Sequence, residues 1–235
     1  DGKPELLVKS PYESTQAPRI ATTVPEMLEY EPCFSPNGRF VVYVTWNDQY
    51  GGGLWRADLL EGKPTQLPVF GGIFRTPAFS PDGQKIVYRL QDGDDELGIS
   101  KVEKTGVFYV DLKGQIMAHF VTDQGEHPRF SPDGTRILVN TGGYLFGGLD
   151  KKLVSFDLNG QDRRELFKSK YVNQWAPSPD GKWLAFTELH KGYVCAMPAS
   201  GQTIDLSADT KAIPLSQIAK DAGYNLHWGA DGKKI

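Results

Sequence analysis

Five copies of one turn-bearing pentapeptide run through the chain, and they limit its fold before any single residue is considered. Phe79-Ser80-Pro81-Asp82-Gly83 and Phe130-Ser131-Pro132-Asp133-Gly134 are identical, and Phe34-Ser35-Pro36-Asn37-Gly38 differs by one amide. Pro177-Ser178-Pro179-Asp180-Gly181 and Trp228-Gly229-Ala230-Asp231-Gly232 are looser copies. Their first residues lie 45, 51, 47 and 51 positions apart, a period that suits a four-stranded unit and exceeds the helical pairs of tetratricopeptide or ankyrin arrays. In each copy proline presets φ, the Asx side chain caps its own backbone and glycine takes positive φ, so the segment reads as a hairpin turn. Five copies of such a segment argue for turn chemistry rather than for a binding or catalytic role.

Around the turn the copies agree strand by strand. A short first strand ends in Pro32-Cys33-Phe34-Ser35, Pro77-Ala78-Phe79-Ser80 or Pro128-Arg129-Phe130-Ser131. After the turn come apolar, β-branched and aromatic second strands at 40–46, 86–90, 137–139 and 183–186. Third strands at 54–59, 108–112 and 154–158 close on an Asp-Leu pair; the fourth repeat, with Val194-Cys195-Ala196-Met197-Pro198, lacks it. Glycine turns then lead to last strands at 65–70, 115–121, 164–167 and 203–206. Four antiparallel strands per repeat make the blade of a β-propeller, so the fold class is all-β, in blades over 28–70, 73–122, 126–168 and 173–207. Residues 1–9 echo the third-to-fourth turn of the first blade, as the end of a preceding blade, and 223–235 start a further one. The chain therefore reads as a single β-propeller domain, incomplete at both ends, from a six- or seven-bladed ring. Phe34, Phe79, Phe130 and Trp228 occupy one equivalent site and are expected to pack between adjacent blades.

The Phe-Ser-Pro-Asp-Gly repeats resemble those of TolB-like propellers, a signature shared with the propellers of tricorn-type and prolyl-oligopeptidase-type peptidases. Residues 178–188, 204–214 and 221–228 are similar to the N-terminal propeller of large bacterial metal-dependent amidohydrolases. That resemblance implies a non-catalytic propeller of a secreted or periplasmic protein, gating or docking a hydrolase domain of the same parent chain. It implies no cofactor in this chain, with zinc or another divalent metal confined to the parent's hydrolase domain. The alternative it leaves open is a TolB-type propeller that binds a partner protein or peptide and carries no enzyme.

Function on a propeller is expected in its loops. The connections 47–53, 92–106, 142–151 and 190–192 vary in length, and they supply the contact candidates Trp46, Tyr50, Tyr144, Leu145, Phe146 and His190. Asp92, Asp94, Asp95 and Glu96 form an acidic cluster, but without the alternating ligand spacing of a calcium loop they read as a solvated turn, neutralised by Lys101 and Lys104. The inter-blade stretches 10–28 and 210–224 are long, and 208–218 is expected to hold a short helical turn.

Nothing in the chain reads as a catalytic centre. His119, His127, His190 and His227 fall in different repeats with no metal-binding spacing, and no Gly-x-Ser-x-Gly elbow occurs. Cys33 and Cys195 lie on strands of distant blades and read as small buried apolar residues without a disulfide. A net charge of -3 gives no basic footprint for nucleic acid, and no run of about 18 apolar residues offers a membrane span.

Overall fold

The computed structural model describes residues 6–7, 19–20, 27–69, 71–91, 104–114, 116–142, 150–198, 201–222, 226–229 and 232–235. Every regular element among them is a strand. β1 (Leu6–Leu7) pairs antiparallel with β2 (Arg19–Ile20). The first blade is β3 (Leu28–Phe34), β4 (Phe40–Asn47), β5 (Gly51–Asp58) and β6 (Lys63–Gln66); the second is β7 (Ile73–Phe79), β8 (Lys85–Gln91), β9 (Gly106–Asp111) and β10 (Ala118–Thr122). The third is β11 (Glu126–Phe130), β12 (Arg136–Thr141), β13 (Lys151–Asp157) and β14 (Arg164–Ser169), and the fourth opens with β15 (Val172–Pro177), β16 (Trp183–Glu188) and β17 (Lys191–Ala196). These are the four-stranded antiparallel blades that the repeat predicts.

Packing divides the chain into two compact units, 1–123 with 127–129, and 124–126 with 130–235. In the first unit Val42, Val44 and Leu54 of one blade bury against Phe74, Phe79, Ile86 and Tyr88 of the next. In the second, Leu138, Leu153 and Phe167 bury against Trp175, Leu184, Phe186 and Tyr193. Second strands are buried on both faces: Val41, Val42, Tyr43, Val44 and Thr45 are all inaccessible to solvent. A continuous apolar run, rather than strict alternation, is what a strand covered on both faces needs.

Serine is the hub of the repeated turn, a role that proline, Asx and glycine obscure in the sequence. The hydroxyls of Ser35, Ser80, Ser131 and Ser178 donate to the Asx Oδ1 two residues on at 2.7, 2.5, 2.6 and 2.6 Å. Each also accepts the amide five residues on, from Phe40, Lys85, Arg136 and Trp183, at 2.9, 2.8, 2.9 and 3.0 Å. The glycines take φ of 69° to 71°. Within each unit the turns lie side by side: a Cβ on Gly181 would meet Pro132 Cγ at 2.9 Å, and one on Gly83 would meet Pro36 Cδ at 3.7 Å. The Asp of the Asp-Leu pair has a comparable task, Asp58, Asp111 and Asp157 accepting the amides of Leu60, Lys113 and Asn159.

The fourth blade departs from its expected layout. The segment at 203–206 does not form its outer strand; β18 (Ile204–Asp205) pairs in parallel with β14, Phe167 opposite Ile204 and Lys168 opposite Asp205. The outer strand is β19 (Leu215–Ala219), antiparallel to β17. Where the other repeats cap their turn with Asp-Leu, this one has Met197-Pro198, so no carboxylate folds the chain straight back. The helical turn expected over 208–218 is not formed either. Instead a tight turn at 207–210, in which the Ser207 amide donates to Thr210 Oγ1 at 2.7 Å, leads on to extended chain.

The site shared by Phe34, Phe79, Phe130 and Trp228 also divides. Phe79 and Phe130 are buried, and half-buried Trp228 donates its indole N–H to the Ala176 carbonyl of β15 at 2.7 Å. Phe34 is 53% exposed. Phe79 is covered by the first blade, whereas among the described residues no four-stranded sheet precedes β3.

Candidate functional site

The second unit carries a cleft of about 310 Å³ where β18 crosses to β14. Lys168, Lys170, Tyr171, Asp150, Asp205 and Ser207 are among its lining residues. Lys168 pairs with Asp205 at 3.3 Å, and the buried Ser169 hydroxyl accepts the amides of Tyr171 and Val172, fixing the corner between β14 and β15. The β16–β17 turn is bonded to this corner. The Leu189 amide donates to Tyr171 O at 3.4 Å, Asn173 Nδ2 donates to Leu189 O at 2.8 Å, and the Ala222 amide donates to His190 O at 2.6 Å.

The cleft therefore has an apolar lip. Tyr171 and Leu189 are 54 and 64% exposed, and Leu189 holds φ at 54°, a left-handed conformation costly for a non-glycine residue. His190 lies in the β16–β17 turn next to Leu189.

In the first unit the loop expected over 47–53 is a three-residue turn, because the glycines belong to β5. Gly52 has a packing reason: a Cβ there would fall 2.0 Å from the Gly72 carbonyl oxygen. Trp46 folds back on its own hairpin, its indole N–H donating to Asp48 at 2.8 Å, while Tyr50 is exposed. Lys104 lies over the Phe120 ring, 3.3 Å from its centroid. Asp92, Asp94, Asp95 and Glu96, and Tyr144, Leu145 and Phe146, lie outside the described residues.

The first strands hold a feature that sequence reading passed over. Glu31, Thr76 and His127, each directly before proline, have φ of 52°, 46° and 51°. Bulges interrupt β3 and β7 there. Glu31 accepts from Arg75 Nε at 2.9 Å and Nη2 at 2.8 Å and also from the Thr76 amide, tying one bulge to the next. In the second unit Gln174 accepts the Leu226 amide at 3.2 Å. Thr76, one repeat after Glu31, has a buried Oγ1 without a hydrogen-bond partner among the described residues. The recurring Glu-Pro, Thr-Pro and His-Pro dipeptides were the available signal.

Cys33 and Arg129 belong to the same unit. Burial pushes the Cys33 thiol up, while the Phe79 amide that donates to it and the Arg129 charge pull the other way. Cys195 is pushed up to about 12 by burial alone, and both thiols are free. His119 stacks on Tyr109 at 4.8 Å. Among the described residues no three His, Cys, Asp or Glu side chains converge as a metal site.

No family model matches the chain. Tol-Pal system protein TolB of Francisella tularensis subsp. mediasiatica is 36% identical over 64 residues, 26% of this chain and 14% of the relative. The chain thus spans well under two thirds of that relative's length. Among solved structures, putative TolB from Agrobacterium tumefaciens superposes with a TM-score of 0.62, at 16% identity, over 94% of this chain and 77% of the other. The fold is that of a TolB-like β-propeller. Oligogalacturonate lyase from Vibrio parahaemolyticus gives a TM-score of 0.61 at 11% identity, over 92% of this chain and 64% of the lyase. One architecture serving a Tol-Pal component and a lyase assigns no activity by itself. No helix among the described residues is long and apolar enough to cross a membrane.

Proposed function

We propose that this chain is a TolB-type interaction propeller of the periplasm, non-catalytic in itself, that holds an extended segment of a partner protein. The observation that carries this reading is the exposed pair Tyr171 and Leu189 at the edge of a charged cleft. Its support from relatives is the 36% identity to a Tol-Pal system protein. The partner expected first is therefore another Tol-Pal component, with Tyr50, Trp46 and His190 as further contact candidates and 144–146 as a fourth. Titration of the chain with purified Tol-Pal proteins tests it. Saturable binding that weakens at least about tenfold in a Tyr171→Ala, Leu189→Asn double variant is expected, the loss of ~1.4 kcal/mol that truncating an interface anchor readily produces. Binding by none of these proteins overturns the Tol-Pal assignment.

The attached hydrolase remains the second reading, supported by the sequence stretches at 178–188, 204–214 and 221–228. In that case the lip holds a domain of the same protein, and the longer protein hydrolyses an amide with bound metal.

A further inference from the structure

Asn-Gly occurs at two places in the sequence, Asn37-Gly38 and Asn159-Gly160, and each pair closes a turn of nearly the same backbone. The Gly38 amide donates to the Ser35 carbonyl at 2.9 Å and the Gly160 amide to the Asp157 carbonyl at 3.0 Å, with glycine φ of 69° and 76°. The turns differ in what they do with the asparagine side chain. Asn37 Oδ1 accepts the Ser35 hydroxyl at 2.7 Å and the Arg39 amide at 3.0 Å, which clamps it within the turn. At 159 the turn uses the backbone alone: like Leu60 and Lys113 in the first two blades, Asn159 donates its amide to the Asp carboxylate two residues earlier. The Asn159 residue is exposed, and among the described residues its carboxamide has no hydrogen-bond partner.

An asparagine side chain followed by glycine is open to attack by the glycine's own backbone nitrogen, because no Cβ obstructs the approach. The attack needs Cγ to swing into contact with that nitrogen, so a clamped side chain reacts more slowly than a free one. We propose that Asn159-Gly160 is a self-modification site that converts an amide into a carboxylate, and that the Ser35 and Arg39 bonds protect Asn37-Gly38 from the same reaction. The Gly160 nitrogen bonds to Asn159 Cγ and releases its proton, while the Cγ–Nδ2 bond breaks and ammonia leaves with that proton, closing a cyclic imide. Water then opens the imide, giving aspartate by adding at Cγ and isoaspartate by adding at the backbone carbonyl carbon. At 37 the aspartate product would only reproduce Asp82, Asp133 and Asp180 of the other copies. At 159 the new charge has no such precedent, since Leu60 and Lys113 hold that place in the first two blades, and it falls two residues after the Asp157 carboxylate.

The test holds the full chain at mildly alkaline pH, with and without urea, and follows both sites by peptide mass spectrometry with the aspartate and isoaspartate products separated by chromatography. In the folded chain Asn159 is expected to convert at least about tenfold faster than Asn37, a difference in barrier of ~1.4 kcal/mol. In urea, where the clamp is gone, the two rates are expected to approach each other. Ser35→Ala is expected to speed conversion at Asn37 and leave Asn159 unchanged, and the comparison with urea decides the matter even if that variant fails to fold. Equal rates in the folded chain, or no conversion at Asn159 over a time in which the unfolded chain converts, overturn the site. A difference that persists in urea belongs to the neighbouring sequence and overturns the role of the clamp.

Discussion

Phe34 and Phe79 are the same residue in the repeat and have opposite surroundings, so a substitution at each separates packing from motif. Phe79 is buried against Val42, Val44 and Leu54, and Phe79→Ala is expected to cost about 3 to 5 kcal/mol. Phe34→Ala, at a side chain more than half in water, is expected to cost under about 1 kcal/mol. Urea unfolding of the two variants checks the contrast, and equal costs would show that Phe34 is covered in solution. Glu31 gives a second test at this scale. Its carboxylate satisfies both Arg75 and the amide of Thr76, so Glu31→Ala leaves two donors without their acceptor and is expected to cost about 1 to 3 kcal/mol. Arg39→Ala, which breaks an exposed pair with Asp58, is expected to cost less by the same measurement.

The turn is the element most legible in the sequence, and its chemistry is where pH enters. Hydrogen bonds from the Ser80, Ser131 and Ser178 hydroxyls hold the carboxyls of Asp82, Asp133 and Asp180 below the ordinary value. Such a group releases its proton more readily in the folded chain than in the unfolded one. It therefore stabilises the fold fully above the unfolded value of about 3.9, and the contribution disappears as pH falls through the lower folded value. The first copy shows how to remove the charge without the geometry, since Asn37 Oδ1 accepts from Ser35 at 2.7 Å and from the Arg39 amide at 3.0 Å. A chain with Asp82→Asn, Asp133→Asn and Asp180→Asn is expected to lose less stability below pH ~4 than the parent. Thermal unfolding across that range checks it, and identical acid limbs would remove the three carboxyls as the cause. The outer strand of the fourth blade was not legible in the same way. A short segment at the right distance was present at 203–206, but pairing with β14 is a tertiary choice, and only the missing Asp-Leu pair and Pro198 hinted at it.

For the whole molecule the sequence revealed blades and turns but little of the candidate site, because local repeats encode local structure. The cleft depends on β18 crossing to β14, and the linked bulges depend on Glu31 reaching 44 residues along the chain to Arg75. Of the residues named from sequence, His190 lies in the β16–β17 turn next to Leu189, whereas Trp46 is turned onto its own hairpin. The four histidines illustrate what this means for chemistry. His119 of β10 stacks on Tyr109 of β9, His127 holds a positive φ in β11, His190 lies in the β16–β17 turn and His227 follows Leu226. A catalytic zinc needs about three protein ligands converging on one ion, and side chains dispersed over separate sheets do not provide that convergence. The 235 residues alone are therefore expected to bind no stoichiometric zinc and to hydrolyse no amide. Metal analysis and an amidase assay on this chain, and on any longer protein that contains it, check it. Zinc with turnover in the chain alone would overturn the non-catalytic assignment. Zinc with turnover only in a longer protein containing the chain would favour a docked hydrolase, and inactivity together with binding of a Tol-Pal component would favour the interaction module.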